Sequence, residues 1–184
     1  MSEKLFIRNG TLANGTKADI SISDGIITSI NRLSKVPEGV KVIDAKDCLI
    51  LPGLVDLHTH LREPGKESAE TVLSGSLAAA KGGYVAVSAM ANTTPVADNA
   101  SVVEHVYRLG QKAGIVDVFP VGAVTQGLVG ENLADIGAMA NSDARVRVFS
   151  DDGHCVSDPL VMRRALEYIK KFGGVIAQHA QDPR

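Results

Sequence analysis

The sequence has little of what marks membrane-bound, secreted or nucleic-acid-binding proteins. No apolar run approaches the roughly 20 residues that a membrane-spanning helix needs. The first residues, MSEKLFIRNG, lack the basic and then apolar pattern of a signal peptide. Two cysteines, Cys48 and Cys155, do not make a disulfide framework, and a net charge of −2 offers no concentration of basic residues for phosphates. We therefore expect a cytoplasmic protein without a nucleic-acid or membrane partner, whose partners are small molecules or other proteins.

The 184 residues fall into two parts with different patterns of apolar residues. Residues 1–48 contain short alternating runs, with Asp24 and Gly25 as a hairpin turn between two of them, and predict a small β module. Residues 49–184 alternate apolar runs with helical patterns, which is typical of βα units and a parallel sheet. The sequence thus predicts an α/β protein with a small β module in front.

The pattern after residue 48 predicts strands and helices in strict alternation. The clearest helix begins at the N-cap Asp158 with Pro159 in its first position. The other predicted helices span 67–81, 101–113 and 133–140, and strands follow at 84–92, 117–125, 145–150 and 175–180. This order fits an open doubly wound sheet or part of a (β/α)₈ barrel. Polar clusters at the ends of several strands favour the barrel, because a barrel brings its strand ends to one centre. A complete barrel has about 250 residues, so we expect only about five βα units here.

The stretch from Leu49 to Glu67 is the first candidate for a functional site. An apolar strand ends there in His58 and His60, which regular alternation places on one face together with Leu54 and Asp56. Two imidazoles on one face lie within reach of one metal ion. The alternative is a buried strand with two incidental histidines, whose burial would need compensation.

Alternation also selects partners for these histidines. Asp152 shares a face with Ser150, whereas Asp151 lies on the other, and His179 shares a face with Ala177. Three histidines and a carboxylate suit one zinc ion, or two that Asp152 bridges, and such a site suits hydrolysis. Taken singly, an Asp-Asp-Gly run is more often a turn, and a histidine at a strand end is often satisfied by the backbone.

Two polar residues near the candidate metal ligands each allow two different roles. Arg62 follows the histidines in a tight turn, where a guanidinium can bind a carboxylate through two hydrogen bonds or remain a solvated loop charge. Asn92 can donate a hydrogen bond to a substrate carboxylate or stabilise its own turn. The roles of His154 and Cys155, in the loop after Asp152, stay open.

The runs GLVDLHTHLREPGKE, AMANTTPVADN and FSDDG, followed by a histidine at a strand end, resemble bacterial dihydroorotase of the amidohydrolase superfamily. The resemblance implies that His58, His60, Asp152 and His179 bind zinc. It also implies that Arg62 and Asn92 hold the carboxylate of dihydroorotate. The implied reaction is the reversible ring closure of N-carbamoyl-L-aspartate to L-dihydroorotate. Some relatives bridge two metals with a carbamylated lysine; no lysine lies near the end of the fourth strand, so Asp152 would take that role.

The resemblance sets further expectations and leaves alternatives. A further metal-binding histidine and an aspartate that shuttles the proton would lie beyond Arg184, so the isolated chain should be inactive. Gln178 and Gln181 flank His179 where the family commonly has an acid. One alternative is therefore a non-catalytic scaffold subunit that binds aspartate transcarbamoylase, and another is a hydantoinase or allantoinase. A homodimer is also compatible with the sequence.

Overall fold

The computed structural model describes residues 4–32, 35–36 and 38–182. The chain divides into two compact units, Met1–Pro52 and Gly53–Arg184. Among the described residues, no helix combines the length and the apolar character needed to cross a membrane.

The first unit is a five-stranded sheet. Its strands are β1 (Lys4–Leu12), β2 (Lys17–Ser23), β3 (Ile26–Asn31), β4 (Lys41–Asp44) and β5 (Leu49–Ile50). The order is β3-β2-β1-β4, with β5 also pairing with β1, and only the pairs β1–β2 and β2–β3 are antiparallel. The predicted hairpin is confirmed: Asp24 and Gly25 have φ values of 52° and 77°, the left-handed conformation that a two-residue turn between twisted strands requires.

The second unit alternates parallel strands with helices, as predicted. Its strands are β6 (Leu54–Thr59), β7 (Tyr84–Ala89), β8 (Asp117–Pro120), β9 (Val148–Phe149) and β10 (Val175–Ile176). Its helices are α1 (Val72–Lys81), α2 (Ala100–Ala113), α3 (Ile136–Asn141) and α4 (Pro159–Lys170), with a 3₁₀ turn at Gln126–Leu128. The strands form the sheets β6-β7-β8 and β9-β10, all pairs being parallel. A single bridge between Gly122 and Phe149 connects β9 to the segment after β8.

Two apolar clusters hold the second unit together. Val87 and Val118 of the sheet pack with Val72 of α1 and Val106 of α2. A larger cluster surrounds the fully buried Phe149 and takes in residues of α2, α3 and α4. The helices therefore cover one face of the strands, as βα units require.

Helix α1 begins five residues later than predicted. The side chain of Thr71 accepts a hydrogen bond from Ser74 N–H, and Ser74 Oγ accepts one from Thr71 N–H. This reciprocal pair is a capping box, which satisfies two N–H groups at a helix start. The start is therefore at Val72, and the predicted segment 67–71 precedes the helix.

The last two strands are much shorter than predicted. The expected strands 145–150 and 175–180 shrink to Val148–Phe149 and Val175–Ile176. Only two residue pairs join them, so the flanking residues make no ladder. Consequently His179 lies in the segment after β10, and the alternation used to orient it does not extend that far.

Candidate metal centre

The two histidines of the motif stand at the carboxyl end of β6, beside a bulge. Asp56 pairs with Val87 and Thr59 pairs with Ala89, so three steps along β6 match two steps along β7. The extra residue changes the alternation, which is the usual effect of a bulge. The prediction that Asp56 shares the histidines' face is therefore wrong, because its register partner Val87 belongs to the cluster under the helices.

His58 and His60 converge on Asp152. His58 Nε2 lies 3.2 Å from Asp152 Oδ1, and His60 Nε2 lies 3.5 Å from Asp152 Oδ2. One ligand atom from each of the three residues lies within 4.8 Å of the others. The Asp152 side chain is 10% exposed and that of His58 is 53% exposed, so the cluster is open on one side.

Asn92 bridges two members of this cluster. Its Nδ2 donates to Asp152 Oδ2 at 3.0 Å, and its Oδ1 faces His60 Nδ1 at 3.0 Å. Residue 92 follows β7, so three segments of the chain meet at this amide. No local pattern predicts that Asn92 contacts the histidine and the aspartate, because the three residues are far apart along the chain.

The two neighbouring aspartates have different surroundings. Asp151 is 1% exposed, and its carboxylate accepts hydrogen bonds from Val124 N–H, Thr125 N–H and the Thr125 hydroxyl. Asp152 faces the histidines instead. Asp151 thus anchors the segment after β9 to the segment after β8, a role that the sequence analysis did not foresee. The only sign of this role in the sequence was the pair of adjacent carboxylates before a glycine.

His179 lies near the cluster but outside the group of three. Its Nδ1 is 3.8 Å from Asp152 Oδ1, and its Nε2 is 3.1 Å from Gln181 Oε1. This contact pairs the ring with the side-chain amide of Gln181, and which group donates depends on the tautomer of the ring. Gln181 therefore stands beside His179 where the resemblance leads us to expect an acid.

Arg62 lies in the turn after the histidines, with φ of 60°. Its guanidinium forms no ion pair or hydrogen bond with the described part of the chain, and the residue is partly buried. The adjoining turn is tied to the segment of Asn92, because Thr94 N–H donates to Pro64 O at 3.0 Å. Gly65 suits this contact: a side chain there would collide with Thr94.

The loop after Asp152 packs on the segment before His179. Gln178 Nε2 donates to Val156 O at 3.2 Å and lies 3.2 Å from Cys155 Sγ. His154 is exposed, and its N–H donates to Asp151 O at 2.8 Å. Neither His154 nor Cys155 belongs to the group of three ligand atoms.

The donor set fits a divalent metal ion. Two imidazole nitrogens and a carboxylate oxygen are ligands that zinc prefers, and they lie close enough to share an ion. In addition, Asp152 Oδ1 faces His58 and Asp152 Oδ2 faces His60, so both oxygens of the carboxylate lie at the histidine pair.

Comparison with known proteins identifies relatives over the whole chain. The family described as Dihydro-orotase-like matches residues 47–184. A protein named dihydroorotase from Leifsonia xyli subsp. xyli is 62% identical over 186 residues, covering 100% of this chain and 42% of the relative. Dihydroorotases from Streptomyces coelicolor and Mycobacterium tuberculosis are 58% and 56% identical, covering 98% and 92% of this chain and 42% and 40% of the relatives. The chain spans about two fifths of the length of these relatives.

Solved structures extend the comparison to the fold. L-hydantoinase from Arthrobacter aurescens has a TM-score of 0.79 at 24% identity, covering 99% of this chain and 41% of that chain. Dihydropyrimidinase from Brevibacillus agri has a TM-score of 0.71 at 20% identity, covering 97% of this chain and 40% of that chain. At these identities the likeness concerns the fold alone. It confirms the predicted fold class, the N-terminal portion of the amidohydrolase barrel.

Proposed function

Because the chain belongs to the dihydro-orotase-like family, we propose that it carries the metal site and part of the substrate site of a dihydroorotase. The reaction would interconvert N-carbamoyl-L-aspartate and L-dihydroorotate. The observation that carries the proposal is the convergence of His58, His60 and Asp152, with ligand atoms within 4.8 Å of one another.

The proposed metal is zinc, as one ion or two. His58 and His60 would hold one ion through Nε2, and Asp152 would bridge to a second ion that His179 would bind through Nδ1. Zinc bound in such a site lowers the pKa of water to about 7 and polarises a carbonyl group. The family resemblance and the donor set support this assignment.

Arg62 and Asn92 would bind the substrate carboxylate. The Arg62 guanidinium has no competing partner among the described residues and can offer two parallel N–H donors. A side-chain amide has two N–H groups, so Asn92 can keep its bond to Asp152 and still donate to the substrate. Both donors lie on turns that a backbone hydrogen bond between Thr94 and Pro64 joins.

In the hydrolytic direction water adds to the ring carbonyl carbon and the ring C–N bond breaks, with the proton going to the departing nitrogen. In the synthetic direction the same bond forms and water leaves. The residues of this chain would orient the ring and hold the metal. The family resemblance assigns the proton shuttle to an aspartate beyond Arg184.

The test is a spectrophotometric assay of dihydroorotate hydrolysis with the full-length protein, beside metal analysis. Replacing both His58 and His60 by Ala should remove bound zinc and lower kcat at least ~100-fold, because the metal contributes several kcal/mol to the barrier reduction. Arg62→Met should raise KM about 10-fold or more with zinc retained, since a charge-assisted hydrogen bond contributes about 1.5–3 kcal/mol.

Active protein without zinc, or a double variant with normal kcat, would contradict the proposal. Turnover of hydantoin or allantoin but not of dihydroorotate would favour the other cyclic amidohydrolases.

A second candidate is a non-catalytic scaffold that binds aspartate transcarbamoylase. The observation that favours it is the amide of Gln181 at His179, where an acid is the common family partner. Metal analysis distinguishes the two, because a scaffold has no need of stoichiometric zinc held by His58 and His60.

A further inference from the structure

Asn92, a candidate substrate ligand, also forms hydrogen bonds with two candidate metal ligands. A carboxylate oxygen can only accept a hydrogen bond, so the atom of Asn92 facing Asp152 Oδ2 at 3.0 Å is the Nδ2 donor. The other atom of the amide, Oδ1, therefore faces His60 Nδ1 at 3.0 Å. Oδ1 can only accept, so Nδ1 of His60 carries a proton.

This proton assignment decides whether His60 can bind a metal. In a neutral imidazole one nitrogen carries the proton and the other has the lone pair. With the proton on Nδ1, the lone pair is on Nε2, the nitrogen that lies 3.5 Å from Asp152 Oδ2. A ligating nitrogen has to be unprotonated, and its partner nitrogen normally donates to a nearby acceptor.

Without Asn92 the preference would reverse. The Asp152 carboxylate is a strong acceptor beside Nε2 of His60, and it would draw the proton to that nitrogen. The ring would then present an N–H to the metal position. Asn92 opposes this twice: its oxygen holds the proton at Nδ1, and its N–H occupies Oδ2 of Asp152, the oxygen nearest to His60.

We propose that Asn92 is a positioning residue that fixes His60 in the Nδ1–H tautomer and thereby keeps its Nε2 lone pair available for a metal ion. The inference rests on the proposed metal site, and it adds a role for Asn92 that does not involve the substrate.

The first measurement needs no substitution of Asn92. Long-range ¹H–¹⁵N spectra of the metal-free protein, labelled in histidine, distinguish a protonated from an unprotonated ring nitrogen. The His60 signals are assigned by their loss in His60→Gln. The expected result is a protonated Nδ1 and an unprotonated Nε2, and a protonated Nε2 with an unprotonated Nδ1 would overturn the proposal.

The second measurement uses Asn92→Leu, which keeps the approximate shape of the side chain and removes both polar atoms. We expect the His60 proton to move to Nε2 and the affinity for Zn²⁺, measured by competition with a chromophoric chelator, to fall about 10- to 100-fold. The matched control is Asn132→Leu, since the Asn132 side chain is exposed and forms no hydrogen bond with the described residues. The control should leave both quantities unchanged.

The outcomes separate this inference from the proposed function. If the wild-type protein binds Zn²⁺ tightly and Asn92→Leu changes neither the tautomer nor the affinity, the inference fails and the metal site stands. A different result is that His60 has the Nδ1–H tautomer in the wild-type protein but not in Asn92→Leu, while the wild-type protein binds no Zn²⁺. In that case Asn92 does determine the tautomer, and the proposed function fails.

Discussion

Asp151 and Asp152 are adjacent and chemically identical, yet their contacts differ completely. Asp151 is buried and accepts three hydrogen bonds from Val124 and Thr125, whereas Asp152 faces His58 and His60. The Thr125 hydroxyl also accepts a hydrogen bond from Gly130 N–H at 2.9 Å. Asp151 therefore holds the backbone from which Asp152 projects, and the two residues should respond differently to the same substitution.

We predict that Asp151→Asn destabilises the protein by about 1–3 kcal/mol, because the amide NH₂ replaces the oxygen that accepts from the Thr125 hydroxyl and the remaining hydrogen bonds lose their charge assistance. Chemical denaturation measures this change. Asp143→Asn is the matched control, since Asp143 is exposed. Equal stability of the Asp151 and Asp143 variants would show that the buried hydrogen bonds do not hold this segment.

At the level of elements, the first unit shows how side chains join strands. Arg8 of β1 lies 2.8 Å from Asp44 of β4, and Asn9 Nδ2 donates to the other oxygen of Asp44 at 3.0 Å. The hydrogen bonds from Asn9 and Arg8, in that order of effect, lower the pKa of Asp44 from its usual 3.8 to about 2. The Asp44 carboxylate thus joins β1 and β4 at the carboxyl end of their parallel pairing.

The lowered pKa predicts a pH dependence of stability. Because the folded-state value lies below the unfolded one, the contribution of Asp44 is fully present above pH 3.8 and is lost as the pH falls through about 2. Asp44→Asn should therefore lower the thermal midpoint at pH 5–7, and the difference from wild type should shrink as the pH falls towards 2. Thermal unfolding monitored by circular dichroism tests this, and a difference that does not vary with pH would contradict it.

At the level of the whole molecule, the candidate metal centre belongs to the second unit, and two of its histidines are partly exposed to solvent. The chain spans about two fifths of its relatives' length, and the side chains of His58 and His179 are 53% and 37% exposed. A hydrolytic site works best when water is controlled around the reacting atoms. The described residues therefore offer candidate ligands and substrate donors on a face that is open to water.

We predict that the 184-residue chain supplied with zinc has no measurable dihydroorotase activity, whereas the full-length protein turns over under the same conditions. The physical reason is that proton transfer needs a positioned acid or base, and the family resemblance assigns this role to an aspartate that is not among the described residues. Zn²⁺ binding by the short chain serves as the control for a folded site. Comparable kcat values for the two forms would contradict the prediction.

Local patterns in the sequence determined most of the elements. Pro159 after Asp158 predicted the start of α4, and Asp158 Oδ1 does accept from Leu160 N–H at 2.7 Å. Asp24-Gly25 predicted the hairpin. The run around His58 and His60 indicated the family. Such signals work because capping, turns and alternation depend on residues a few positions apart.

Contacts between distant residues were decided only by the tertiary structure. Alternation could not foresee the bulge in β6, because the extra residue is defined by its pairing with β7. Nor could it give the bridge from Asn92 to His60 and Asp152, which are 32 and 60 residues away. The sequence by itself indicated which residues are candidates for the chemistry, whereas the packing of parallel strands determined which of their atoms face each other. A hydrogen bond depends on a few tenths of an ångström, and only the assembled sheet sets distances that finely.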